Sequence, residues 1–210
     1  MTATPDDGTL TNEGLAAPGQ GRVLVIGCGA LAREILAVLE TNGLRHVDLT
    51  CLPAIWHNAP AKIAPALEES IVTHRDNYES IFVAYADCGT GGEIEKVCAR
   101  HGIEMIAGPH CYSFFDGNTT FATRDEVTAF YLTDFLTRQF EAFVIRPLGL
   151  DRHPELRDIY FGNYERLIYL AQTDDPALDD RARAAAETLG LTYERRFTGY
   201  GDLAGALAGL

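Results

Sequence analysis

The sequence predicts an α/β protein with a Rossmann-like, three-layer fold built on a mainly parallel sheet. Short runs rich in β-branched and aliphatic residues alternate with segments whose apolar residues recur at helical spacing. The apolar runs end in turns that contain glycine, cysteine or proline. Such alternation implies parallel strands joined by right-handed crossover helices.

The N-terminal segment differs in composition from the rest of the chain. MTATPDDGTLTNEGLAAPGQ contains no basic residue and no apolar period. We therefore predict a disordered tail over residues 1–20, followed by a single α/β domain over residues 21–210. Because this segment has neither the basic nor the apolar region of a secretory signal, and no run can span a membrane, we expect a cytoplasmic protein.

The elements follow in order along the chain. Strands are predicted at 22–26, 47–52, 80–86, 103–107, 167–171 and 191–197. Helices are predicted at about 31–39, 58–78, 93–101, 135–144 and 179–189. In the first half every strand is followed by a turn and then by a helix or a less regular segment, so the strand-to-helix turns should lie along one edge of the sheet.

The charge of the chain argues against one class of partner. The formal net charge is −13, and the 17 Lys and Arg residues are scattered. Binding to nucleic acid requires a basic face, so we expect none, and we expect a small-molecule ligand instead.

Four of the five cysteines follow or close successive predicted strands. These four are Cys28, Cys51, Cys88 and Cys111. Since ligands of open α/β sheets bind beside the carboxyl ends of the strands, we predict that the four thiols form a metal site, either for zinc or for an iron–sulfur cluster. Cys98 lies in the middle of a predicted helix and is expected in the core.

Two histidines lie beside these cysteines in the sequence. His57 follows Cys51 and precedes a helix, and His110 adjoins Cys111. Either imidazole can be a further ligand or a proton carrier, and we select His57 as the candidate catalytic residue.

Glycines in two of the turns allow a second interpretation. Gly27 and Gly29 fit the first part of a dinucleotide-binding fingerprint, and Gly89 and Gly91 lie where a helix N-terminus can cradle an anion. The acidic residue that should close the second strand is replaced by Thr50-Cys51-Leu52. A metal-free protein that binds a nucleotide or a phosphate through these four glycines is therefore the alternative.

The cysteine-bearing segments resemble an uncharacterised prokaryotic family, domain of unknown function 1638. The resemblance rests on GCGALAREI at 27–35, CLPAIWHNAP at 51–60, YADCGTG at 85–91, GPHCY at 108–112 and FYLT at 130–133. Ala86 stands where the family usually has glycine, and SFFDG at 113–117 replaces its usual LLGS stretch.

The resemblance implies a biological setting. Members of that family are often associated with corrinoid-dependent methyltransferase systems. For this chain the resemblance therefore implies a role beside methyl transfer, an indirect link to a corrinoid, and a corrinoid protein or methyltransferase as an expected partner. A cysteine-ligated metalloprotein of small-molecule metabolism is the leading hypothesis. A metal-free phosphate-binding enzyme and a non-catalytic accessory protein of a methyltransferase system are the alternatives.

Overall fold

A computed structural model describes residues 5–210, which form two compact units. The first contains the described residues through Phe114 together with Tyr200–Leu210, and the second is Phe115–Gly199. Each unit has its own parallel sheet flanked by helices, which confirms the α/β, Rossmann-like fold class. The expected single domain over residues 21–210 is instead divided, because the later strands form a sheet of their own.

The sheet of the first unit has four strands. They are β1 (Val23–Cys28), β2 (Val47–Leu52), β3 (Ser80–Ala84) and β4 (Glu104–Met105). All pairings are parallel, and the spatial order is β2-β1-β3-β4. Successive residues Leu24, Val25 and Ile26 are all fully buried, as expected for a strand covered on both faces.

The helices of the first unit cover this sheet. They are α1 (Asp7–Asn12), α2 (Ala32–Thr41), α3 (Ile63–His74) and α4 (Glu93–His101), and short 3₁₀ helices at Gly29–Leu31, Ala54–Asn58 and Pro60–Lys62 precede α2 and α3. Ile35, Leu67 and Ile94 project from α2, α3 and α4 with no exposed surface. In each helix, the apolar residues that recur at helical spacing in the sequence therefore form the side that faces the core.

The N-terminal segment is ordered from residue 5 onward, contrary to the expected tail. The side chain of Asp6 caps α1 by accepting a hydrogen bond from the Thr9 N–H at 3.0 Å. Leu10 is fully buried, and Leu15 pairs with Cys51 through two backbone hydrogen bonds of 2.8 and 2.9 Å. The segment thus covers the outer edge of β2, a long-range contact that local composition does not reveal.

The second unit carries a three-stranded parallel sheet. Its strands are β5 (Ala129–Leu132), β6 (Arg166–Ala171) and β7 (Thr192–Phe197), in the order β5-β6-β7. Its helical segments are the end of α5 (Ser113–Asp116), then α6 (Asn118–Arg124), α7 (Asp134–Arg138), a π-helical turn at Glu141–Ile145, α8 (Leu156–Phe161) and α9 (Pro176–Leu189). Asp134 is buried and accepts four hydrogen bonds of 2.6–3.0 Å from Tyr169, Gln172 and Thr173.

The chain ends with α10 (Gly201–Leu207), which returns to the first unit. Leu203 and Leu207 of this helix are fully buried. Within residues 5–210, no helix has both the length and the apolar character needed to cross a membrane.

Candidate functional site

The candidate site lies at the carboxyl edge of the first sheet, between β1 and β3. These strands are neighbours although they are not consecutive, because the chain places β2 on one side of β1 and β3 on the other. In open α/β sheets a crevice forms at such a reversal of strand order. Cys28 closes β1, and Cys88 follows β3, so one thiol flanks each side of this position.

The loop after β3 holds Cys88 in a conformation that is unusual for a residue other than glycine, with φ of 46°. The carboxylate of Asp87 fixes this loop by accepting hydrogen bonds from Gly92 N–H at 2.6 Å and from the Thr90 hydroxyl at 2.9 Å. Backbone conformations of this kind concentrate at functional sites, where the surrounding contacts maintain them.

The loop after β4 is paired to the Cys88 loop. The Asp87 N–H donates to the Gly108 carbonyl at 3.0 Å, and the Cys88 N–H donates to the Pro109 carbonyl at 3.1 Å. This pairing brings the sulfur of Cys111 to 3.2 Å from the sulfur of Cys88. Two cysteines separated by 22 residues are thereby placed side by side.

Hydrogen bonds extend this pair into a cluster. Cys111 also bonds to Cys28, the His57 imidazole bonds to Cys88, and the Tyr85 hydroxyl bonds to Cys28. We refer to Cys28, Cys88, Cys111 and His57 as the thiol–imidazole cluster. Its members come from four separate turns of the first unit.

The cluster has a buried side and an exposed side. Cys28, Cys88 and Tyr85 are buried, whereas Cys111 is partly exposed and His57 is exposed. A small molecule would therefore reach the sulfurs past His57 and Cys111.

The cluster also has a defined charge distribution. The hydrogen bond from Cys111, followed by that from His57, lowers the pKa of Cys88 to about 5. The same bond to Cys88 raises the pKa of His57, and hydrogen bonds to Cys28 and Cys88 raise the pKa of Cys111 well above its usual value. These shifts favour a thiolate at Cys88, the protonated form of His57 and the thiol form of Cys111, and the hydrogen bond with Cys111 also lowers the pKa of Cys28.

Cys51, the remaining predicted ligand, faces the other side of the sheet. It lies opposite Gly27 in the register, whereas Cys28 lies opposite Leu52. Successive side chains of a strand alternate between the two faces, so the Cys28 and Cys51 side chains point to opposite faces. Burial raises the pKa of Cys51 well above its usual value, as expected for a thiol in the core. The structure therefore brings together three of the four predicted cysteines.

The glycines predicted to bind a phosphate contact the chain itself. A Cβ at Gly29 would lie 2.2 Å from the Leu10 carbonyl oxygen, and a Cβ at Gly27 would lie 3.0 Å from Ile35. Gly91 N–H faces the Asp87 carboxylate at 3.3 Å, and Gly89, with φ of 81°, continues the turn that starts at Cys88. These glycines permit packing of the N-terminal segment and closure of the Cys88 loop, so their predicted role with a phosphate has no support in these contacts.

Tyr85 is a site residue that the sequence patterns do not single out. It is one of several aromatic residues near the cysteines, and aromatic residues at the end of an apolar strand usually belong to the core. Its position three residues before Cys88 is the signal that distinguishes it. His110, by contrast, stacks on Tyr112 with ring centroids 4.9 Å apart.

The sulfurs are hydrogen-bonded to one another. Across residues 5–210, no group of three or more His, Cys, Asp or Glu side chains could hold a metal ion in its present arrangement. Two sulfurs bound to one tetrahedral zinc, each with a Zn–S bond of about 2.3 Å, lie about 3.8 Å apart. The 3.2 Å contact between Cys88 and Cys111 is shorter than this separation.

The charge distribution predicts how the metal-free protein reacts. We expect Cys88 to be alkylated by iodoacetamide at a rate that falls with a midpoint near pH 5 as the pH is lowered, because its pKa is about 5. An unperturbed cysteine has a pKa of about 8.5. Alkylation quenched at a series of times, followed by peptide mass spectrometry, measures the rate. Cys98 is the internal control, because burial raises its pKa to about 11. A midpoint above pH ~8 for Cys88 would contradict the assigned thiolate.

Comparison with protein families matches most of the chain. A family model described as "Protein of unknown function (DUF1638)" matches residues 51–207. The matched region includes Cys88, Cys111, His57 and Tyr85, and the family is the one that the sequence motifs indicated. The curated proteins and the solved structures that were compared gave no match.

Proposed function

The chain belongs to the DUF1638 family, and we propose that it binds a single zinc ion through the thiol–imidazole cluster. The observation that supports this proposal is the convergence of three thiols and one imidazole at the reversal point of the strand order. Cys₃His is an established donor set for tetrahedral zinc. Binding would require the Cys88 and Cys111 sulfurs to separate from 3.2 Å to about 3.8 Å.

The spacing of the sulfurs favours one metal ion over an iron–sulfur cluster. Each iron of a [4Fe–4S] cluster takes its own cysteine, which places the protein sulfurs farther apart than two ligands of one ion. Here Cys111 is hydrogen-bonded to both Cys28 and Cys88, and Cys51 points to the opposite face. A mononuclear site requires a smaller rearrangement.

The exposed position of His57 supports a chemical role in small-molecule metabolism. Catalytic zinc sites keep three protein ligands and leave the fourth position for water or substrate. Cys28, Cys88 and Cys111 are the more buried ligands, and His57 is the exposed one that a substrate can replace. Zinc in such a site supplies Lewis acidity, for example to activate a substrate thiol.

Displacement from the metal would leave the His57 imidazole free to carry a proton at the mouth of the site. Its hydrogen bond to Cys88 keeps the ring beside the sulfurs in the metal-free protein. A link to corrinoid-dependent methyl transfer, with a corrinoid protein or methyltransferase as partner, remains part of this proposal and rests on the family resemblance.

Metal and acid-labile sulfide analysis of the protein, purified without chelators and without oxygen, tests this proposal. We expect about one zinc ion per chain and no sulfide. Iron and sulfide in stoichiometric amounts would show that the site holds an iron–sulfur centre and not zinc. Absence of bound metal, with no uptake of added zinc, would reject the metal site and leave Cys88 and His57 as a nucleophile–base pair.

A further inference from the structure

We infer that Cys88 and Cys111 form a reversible disulfide when the protein meets hydrogen peroxide, and that this bond controls metal binding at the site. The second part rests on the proposed zinc site, whereas the disulfide itself does not. This inference rests mainly on the 3.2 Å contact between the two sulfurs, which lie in loops joined by backbone hydrogen bonds.

The two loops hold the sulfurs in a position from which a bond can form. A disulfide has an S–S distance of about 2.05 Å, so the sulfurs must approach by about 1.2 Å. Rotation of the two side chains can provide such a movement, while the hydrogen bonds from Asp87 N–H to Gly108 and from Cys88 N–H to Pro109 keep the backbones adjacent. Both cysteines lie outside the strands, where small backbone adjustments break no ladder hydrogen bond.

The other cysteines are less suited to this bond. Cys28 is the last residue of β1, which is paired with β2 on one side and with β3 on the other, so its backbone is fixed. Cys51 points to the opposite face of the sheet, and Cys98 lies within α4. Cys111 is the one partly exposed cysteine of the five, and it gives an oxidant access to the pair.

The reaction balances with hydrogen peroxide as the two-electron oxidant. The Cys88 sulfur, which bonds to His57, attacks one peroxide oxygen and the O–O bond breaks. The departing hydroxide takes the proton that the Cys88–His57 hydrogen bond shares and leaves as water. The Cys111 sulfur then attacks the sulfenic sulfur of Cys88. The S–S bond forms, the S–O bond breaks, and the second hydroxide leaves as water with the Cys111 proton.

Such a bond would remove two of the four proposed zinc ligands. A disulfide sulfur is no longer a thiolate, and thiolates are the ligands that zinc requires. Cys28 and His57 would remain, which is too few to retain the ion. Reduction by a dithiol would restore both thiols and the site.

Peptide mapping tests the disulfide directly. Cleavage after Lys and Arg places each of the five cysteines in a different peptide: 23–33, 46–62, 76–96, 97–100 and 101–124. The metal-free protein is treated with hydrogen peroxide, its remaining thiols are alkylated, and the digest is analysed without reduction. We expect a linkage between peptides 76–96 and 101–124, and a fall in free thiols from five to three per chain.

Zinc-loaded protein and two variants complete the test. Peroxide should release zinc to a chromogenic chelator in parallel with the disulfide, and a dithiol should reverse the release. Cys111→Ser should lose the linkage, whereas the matched variant Cys51→Ser should keep it. Linkage of Cys28 to Cys111, or sulfinic acid at Cys88 without any linkage, would overturn the inference. Formation of the Cys88–Cys111 bond in a protein that never binds zinc would support the disulfide and reject the proposed function.

Discussion

Replacing either Cys88 or Cys111 with alanine is expected to weaken cobalt(II) and zinc binding by about 100-fold or more. Structural zinc sites bind with about 10–16 kcal/mol in total, which is about 3 kcal/mol for each of four ligands. A loss of that size corresponds to on the order of a 100-fold change in dissociation constant. Titration with cobalt(II), followed by the thiolate-to-cobalt absorption and by zinc competition, measures the change.

Cys51→Ala provides the matched control for these variants. Cys51 lies near the carboxyl end of β2, at the same edge of the sheet, and is as buried as Cys28. The pairing register, however, directs its side chain to the other face of the sheet. We expect this variant to bind cobalt(II) with the affinity and spectrum of the original protein. Equal losses for Cys51→Ala and Cys88→Ala would contradict the assigned ligand set and restore the four-cysteine site predicted from sequence.

Substitution of Gly29 by alanine is expected to destabilise the protein by about 3 kcal/mol. The added Cβ would lie 2.2 Å from the Leu10 carbonyl oxygen, a backbone atom that cannot rotate away. Either the turn after Cys28 or helix α1 must move, and the burial of Leu10 is then lost in part. Urea unfolding followed by circular dichroism gives the change in the free energy of unfolding.

Gly205→Ala is the control for this substitution. Gly205 lies within α10, and a Cβ added there would have no neighbouring heavy atom within 4 Å. Alanine there should leave stability unchanged or raise it by up to about 1 kcal/mol, since glycine disfavours a helix interior. An unfolding midpoint for Gly29→Ala equal to that of the original protein would mean that α1 does not pack on the Cys28 turn.

Much of the first sheet could be predicted from the sequence. Strand β2 and helix α4 have the predicted bounds. Apolar residues that alternate up to Pro53 mark β2, and Ile94 and Val97 at helical spacing before Gly102 mark α4. Helix α1 is not predicted, because it has only six residues and gives no repeated apolar pattern. Its one fully buried leucine, Leu10, contacts residues that are distant in the sequence. Strand β5 (Ala129–Leu132) is not predicted either, because four residues are too few to show a strand pattern.

The position of the candidate site could also be predicted, but its membership could not. Parallel strands predict that residues following them meet at one edge, and Cys28, Cys88 and Cys111 do so. Whether Cys51 joins them depends on the pairing register, since a shift of one residue exchanges the two faces of a strand. Register is a property of the folded sheet. The sequence alone therefore does not reveal that the Cys51 side chain points away from the other three thiols, and it wrongly groups Cys51 with them.

The glycine-rich turns show a further limit of local patterns. A Gly-x-Gly turn indicates that some group approaches the backbone closely, but it does not identify that group. At Gly29 the group is the carbonyl of Leu10, and in the Cys88 loop it is the carboxylate of Asp87. Both partners belong to the chain, so these contacts account for the glycines without a bound phosphate.

X-ray absorption at the zinc edge of the zinc-loaded protein tests the central claim most directly. We expect three sulfur ligands at about 2.3 Å and one nitrogen ligand at about 2.0–2.1 Å. In the His57→Ala variant we expect the scattering of a water oxygen in place of the imidazole nitrogen, with the three sulfurs unchanged. Four sulfur ligands, or a shell of nitrogen and oxygen alone, would contradict a site made of Cys28, Cys88, Cys111 and His57.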